Sequence, residues 1–141
     1  MKYILTTISF LFFLISTSYA VVIKDIQINN NKRITKETIK TYGNIQLNKN
    51  YNQKELNNII KNLYETNFFK KISLTVDGQI LVLTIEENKI IQNVRVEGVK
   101  SNKIKKAILK NLFSKDKSPF LIEKVKIDVN RMKTSLNNIG Y

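Results

Sequence analysis

Apolar and polar positions alternate along Val21 to Asn29, with Ile26 and Ile28 on one side and Asp25 and Gln27 on the other. A period of two describes a strand with one buried face. Asn29-Asn30-Asn31 breaks the pattern, since asparagine tolerates turn conformations. Thr35 is then placed to cap a short helix through about Tyr42, with Gly43 as its stop and Ile34 set to staple against Ile39. Asn44 to Tyr51 reads as a loop. Asn52 opens a stronger helix, because Glu55 three residues on completes a capping-box pair. Leu56, Ile59, Ile60, Leu63 and Tyr64 form a single apolar stripe on it. After Phe68-Phe69, the residues Ile72, Leu74 and Val76 alternate with Ser73 and Thr75, a second half-buried strand. Asp77-Gly78 predicts a two-residue type I′ hairpin turn. Gln79 to Glu87 returns with Leu81, Leu83 and Ile85 on one face and Ile80 and Val82 on the other. Two apolar faces predict a central strand. The order is β-α-α-β-β.

The pattern then restarts. Ile91-Gln92-Asn93-Val94-Arg95-Val96-Glu97 repeats the polarity of Ile23-Lys24-Asp25-Ile26-Gln27-Ile28-Asn29 at every position, 68 residues later, and Lys100 falls opposite Lys32. A repeat of this length means tandem units of one architecture. Gly98 permits the turn made by Asn30 in the first copy. Ser101 or Asn102 caps a helix bearing Ile104, Ala107, Ile108 and Leu112. Ser114 to Pro119 is a loop with a solvated Ser114-Lys115-Asp116-Lys117-Ser118 stretch. A further helix carries Ile122, Val125, Val129, Met132 and Leu136. Asn138-Ile139-Gly140-Tyr141 corresponds to Thr66-Asn67-Phe68-Phe69, where the first hairpin begins. The second unit is therefore expected to be incomplete, without its last two strands.

The start of the chain has a different character. Lys2 precedes an uncharged run, Ile4 to Ser16, and Ser18-Tyr19-Ala20 places small residues at the two positions a signal peptidase reads. The run is shorter than the roughly 20 residues that span a bilayer. The expected organisation is a signal peptide at 1–20, a complete unit at 21–88 and an incomplete unit at 89–141.

Composition narrows the chemistry. The net charge is +13, of which Lys2 contributes one. The lysines are spread along every segment among abundant Asn and Ile, as an AT-rich coding sequence produces. Arginine, suited to bidentate phosphate contact, occurs only at Arg33, Arg95 and Arg131. No nucleic-acid partner is expected, and a basic lipid- or nucleic-acid-binding protein is the alternative from another class. With no Cys and no His, disulfides, thiolate zinc and the commonest general base are excluded. Glu86 and Glu87 are neighbours on a strand and point to opposite faces, so they cannot share a substrate atom. A periplasmic hydrolase is disfavoured. No enzymatic activity, metal or cofactor is expected.

Several segments in combination resemble the POTRA repeats of bacterial outer-membrane protein assembly factors. Val22-Ile23-Lys24-Asp25-Ile26 follows the signal, and Lys32-Arg33-Ile34 enters the first helix. Leu63-Tyr64-Glu65-Thr66-Asn67-Phe68-Phe69-Lys70 looks like that family's helix-to-strand junction, with Asn67 where glycine is usual. Leu83-Thr84-Ile85-Glu86-Glu87-Asn88 resembles the end of its last strand, Val96-Glu97-Gly98 the opening of the next unit, and Gly140-Tyr141 its Gly-Tyr pair. The resemblance implies an α+β fold of tandem units, each a three-stranded mixed sheet covered on one face by two helices, with the last strand central. Lys70, Lys71, Ile72, Ser73, Leu74, Thr75 and Val76 would then form an edge strand able to pair with an extended client peptide. The competing reading is that Lys70 and Lys71 protect that edge against aggregation. Tyr64, Phe68 and Phe69 are either an aromatic docking patch or, for at least two of them, core.

The implied setting is the periplasmic face of the outer membrane. The implied partners are unfolded outer-membrane proteins, periplasmic chaperones and assembly lipoproteins, with a C-terminal β-barrel beyond Tyr141. A translocation-and-assembly relative or a two-partner secretion transporter would carry the same units. A division-protein POTRA fits less well, because those follow an uncleaved anchor and come singly.

Overall fold

The computed structural model describes residues 20–138. The predicted signal peptide lies outside them except for Ala20, as does the Gly140-Tyr141 pair. The elements are β1 (Val21–Ile23), β2 (Asp25–Asn29), α1 (Lys36–Gly43), β3 (Lys49–Tyr51), α2 (Gln53–Glu65), β4 (Phe69–Asp77), β5 (Ile80–Glu87), α3 (Asn102–Asn111) and α4 (Ile122–Asn137).

The main sheet has the order β2-β5-β4, with β5 parallel to β2 and antiparallel to β4. Register aligns apolar rows across it: Ile26, Leu81 and Val76 in one, Ile28, Leu83 and Leu74 in the next, then Ile85 and Ile72. These rows, with Ile39, Leu56, Ile59 and Leu63 from the two helices, make one core. Burying side chains of this size contributes roughly 1.5–3 kcal/mol each. The other face of β5 is open, and Ile80 is exposed there. The strand is central in the hydrogen-bond ladder without being buried on both faces.

Capping follows the sequence closely. The Thr35 side chain accepts from the Thr38 N–H, and Asn52 and Glu55 form a reciprocal capping box. Three expectations are corrected. Asn44, at φ +52°, is the left-handed C-cap of α1, and Gly43 is its last helical residue. Glycine is needed at 43 for space, since a Cβ would lie 3.0 Å from the Ile45 side chain and 3.3 Å from that of Ile59. Within the expected loop Asn44 to Tyr51, β3 pairs antiparallel with β1. Three residues are too few to show a period, but the buried Tyr51 hydroxyl bonds both Gln46 backbone groups. The hairpin loop is Gly78-Gln79, one residue later than predicted, closed by Asp77 and Ile80. Only Gly78 has positive φ, the type II′ pattern that places glycine first.

The second copy differs more. Its helices form, with Ser101 as the α3 cap, and Val99, Ile108 and Leu112 are buried with Val94, Val96, Met132 and Leu136 packed against them. Gly98 has φ +79° where Asn30 has +66°, so the two copies make the same turn. The predicted strand at 91–97 is not formed. Its counterpart β2 is held by β5, whereas no strand pairs with 91–97 among the described residues. The Ser114 to Pro119 loop holds the segment instead. Ile91 bonds Ser118 and Lys117, Phe120 bonds Lys89, and the Asp116 carboxylate accepts the Val94 N–H at 2.6 Å.

Candidate functional site

Both outer strands of the main sheet present an edge, and they differ in how much is open. β2 has five residues, and its Ile26 N–H is taken by the Asp25 carboxylate at 2.7 Å. The Ile26 N–H first, and then the positive charge of the Lys36 side chain, hold that carboxyl below its usual range. β4 has nine residues.

The predicted site residues on β4 are not equivalent. Lys70 is the extra residue of a bulge between Phe69 and Lys71, and it pairs with Glu86 at 2.7 Å. Bulges and lysines both blunt an edge. Beyond the bulge, alternate residues turn their backbone groups toward β5 or away from it. The Ile72 N–H is donated to the Tyr64 hydroxyl at 3.0 Å, so it points away from β5. Leu74 and Val76 share its parity and point outward too. Lys71, Ser73 and Thr75 face β5 with their backbone groups. Among the described residues, the open donors of this edge are therefore those of Leu74 and Val76.

Side chains give the edge two characters. Leu74 and Val76 are half-buried and packed on the core, while Lys71, Ser73 and Thr75 are exposed on the opposite face. An added strand would meet an apolar side and a polar, basic side. The aromatic residues divide as follows: Phe69 is buried, Phe68 packs against the core and stacks on Tyr42 at 5.8 Å, and Tyr64 is 42% exposed.

Glu87 was missed as a structural anchor in the sequence. One of its oxygens accepts the backbone N–H groups of Lys32, Arg33 and Ile34 at 2.8, 2.9 and 3.1 Å. The other lies 3.1 Å from Arg33 Nε as an ion pair, without hydrogen-bond alignment. Burial raises its pKa, but the three amides and Arg33 outweigh that, so the carboxyl lies below the usual range. The Lys32-Arg33-Ile34 and Glu86-Glu87 motifs thus meet: one is the cradle for the other's carboxylate. Asp128, buried on α4, does the same for the turn after α3, accepting from Phe113 and Ser114 at 2.7 Å each.

Two of the surface hollows border the sheet and the second helix pair. An open one on the uncovered sheet face is lined by Lys32, Lys71, Lys89 and Glu86 among others. The other, about 190 Å³, lies between α3 and α4 and is lined by Ile108, Leu112 and Met132. No group of His, Cys, Asp and Glu among the described residues could hold a metal ion. No helix among them is long and apolar enough to cross a membrane.

The family model described as POTRA, surface antigen variable number repeat, matches residues 21–88. That segment carries the β-α-α-β-β order with the last strand central in its sheet. In sequence the chain is similar to two proteins named outer membrane protein assembly factor BamA. That of Neorickettsia risticii (strain Illinois) is 31% identical over 90 residues, covering 64% of this chain and 12% of the relative. That of Neisseria meningitidis serogroup B (strain ATCC BAA-335 / MC58) is 36% identical over 93 residues, covering 65% and 11%. The match therefore spans about an eighth or less of those relatives' length. In structure the chain is similar to POTRA1-2 of the periplasmic domain of Omp85 from Anabaena, with a TM-score of 0.51 and 13% identity over 89% of this chain and 83% of that one. The POTRA1-3 form gives 0.52 and 14%, over 89% and 54%. These two likenesses concern the fold.

Proposed function

We propose that this chain is the periplasmic part of an outer-membrane β-barrel assembly protein and that its β4 edge binds extended segments of unfolded barrel proteins by strand addition. The organisation taken is an export signal at 1–20, a POTRA unit at 21–88 and part of a second at 89–141. The supporting observation is the edge itself: outward donors at Leu74 and Val76, with apolar neighbours on one face and Ser73 and Thr75 on the other. Membrane β-strands alternate apolar and polar side chains with a period of two, which suits that two-sided edge. Backbone pairing supplies affinity without demanding one client sequence. The role is recognition and transfer to partners, chaperones and assembly lipoproteins among them, and asks for no catalytic group.

Val76→Pro tests this, because it removes an outward donor without removing an N–H that β5 uses. Residues 21–141 should bind a nine-residue peptide alternating valine and threonine, and the proline variant should bind about tenfold more weakly, the equivalent of about 1.4 kcal/mol, with an unchanged circular dichroism spectrum. Equal binding by the folded variant would refute the edge. Binding that collapses steeply with salt would instead favour a basic lipid or nucleic-acid binder.

A further inference from the structure

We propose that Tyr64 is a register stop on the β4 edge: its hydroxyl occupies the place of the carbonyl that an added strand would bring to Ile72. The inference rests on strand addition at β4 and specifies how much of that edge is used. Tyr64 sits at the penultimate position of α2, eight residues before Ile72, and its oxygen is 3.0 Å from the Ile72 nitrogen. That is the distance at which a ladder carbonyl lies from its N–H. The two cannot share the site. Tyr64 is 42% exposed, so the contact is made at the sheet rim and not in the core.

Three features bound the usable edge. The Lys70 bulge disrupts the ladder at one end, Tyr64 takes the next outward donor, and the Gly78-Gln79 loop ends the strand. What is left is Leu74 to Val76. An added strand in this window places one residue opposite each of Leu74, Thr75 and Val76. Directly opposed residues project to the same face, so the partner is an apolar-polar-apolar triplet whose apolar pair extends the Leu74–Val76 side. Without the hydroxyl, the window would reach Ile72 and admit a longer segment, including a register displaced by two residues toward Lys71.

Tyr64→Phe keeps the ring and removes the acceptor. Amide hydrogen exchange by NMR on residues 21–141, with and without the valine–threonine peptide, reads each donor separately. In the unaltered chain the peptide should slow exchange at Leu74 and Val76 by tenfold or more and leave Ile72 unchanged. In Tyr64→Phe, the Ile72 amide should exchange faster than in the unaltered chain when peptide is absent, and should become protected when it is added. Tyr64→Leu, with its fold checked by circular dichroism, should behave alike. Peptide protection of Ile72 in the unaltered chain, or protection confined to Leu74 and Val76 in the variants, would overturn the register stop while leaving strand addition standing. No protection anywhere on β4 would overturn both.

Discussion

Replacing Glu87 separates the anchoring of the β2–α1 loop from every other contribution to the fold. Its side chain is 5% exposed and accepts three backbone N–H groups. In Glu87→Ala all three lose their acceptor. Lys32 and Arg33 are exposed, so water takes their amides at about 0.5 kcal/mol each. Ile34 is half-buried, and its orphaned N–H costs about 2 kcal/mol. The ion pair adds little, since Arg33 is 46% exposed. The sum is about 3 kcal/mol, or roughly 12–24 °C in Tm for a domain of this size. Glu87→Gln retains an acceptor oxygen and loses only the charge, about 1 kcal/mol. Glu87 has its folded pKa lowered, so its charge stabilises above the unfolded value of about 4.3. That contribution fades as pH falls through the folded value. Calorimetry of residues 21–141 at pH 7 and pH 3 should therefore show the gap between the unaltered chain and Glu87→Gln narrowing in acid. A Glu87→Ala shift under about 4 °C, or a Gln gap that widens in acid, would refute the anchor.

Other outcomes follow from the same geometry. Gly43→Ala should destabilise by about 1 kcal/mol in chemical unfolding, because crowding against Ile45 and Ile59 outweighs alanine's helix propensity. Asn67 has φ +60°, so Asn67→Ala should cost about 1 kcal/mol while Asn67→Gly is near neutral in the same assay. Asp128→Ala should loosen the α3–α4 turn, seen as loss of exchange protection at the Phe113 and Ser114 amides with the β-sheet amides unchanged. Amides in 25–87 should be protected well beyond those in 90–138. Thirteen hydrophobics are buried in the first core and three in the second among the described residues; equal protection would contradict this.

The periodic elements were legible because their signals are local. α2 carries its cap, its box and its stripe within thirteen residues, and the alternation in β4 and β5 needs only their own residues. Asn67 is left-handed at φ +60°, at the position where the family resemblance puts glycine. Contacts across the chain were not legible. Glu87 reaches a loop more than fifty residues away; alternation separates it from Glu86 but does not name the backbone it holds. Tyr64 continues an apolar stripe, which reads as core; nothing in a stripe shows a phenol turned to the rim to cap Ile72. At 91–97 the alternation was sound, but a strand needs a partner, and pattern alone does not supply one.

A structure of residues 21–141 with the valine–threonine peptide would test the edge most directly. The peptide should lie as a fourth strand beside β4, bonded to Leu74 and Val76 with its apolar side chains continuing the Leu74–Val76 row. Finding it beside β2, or between α3 and α4 with β4 bare, would contradict the account.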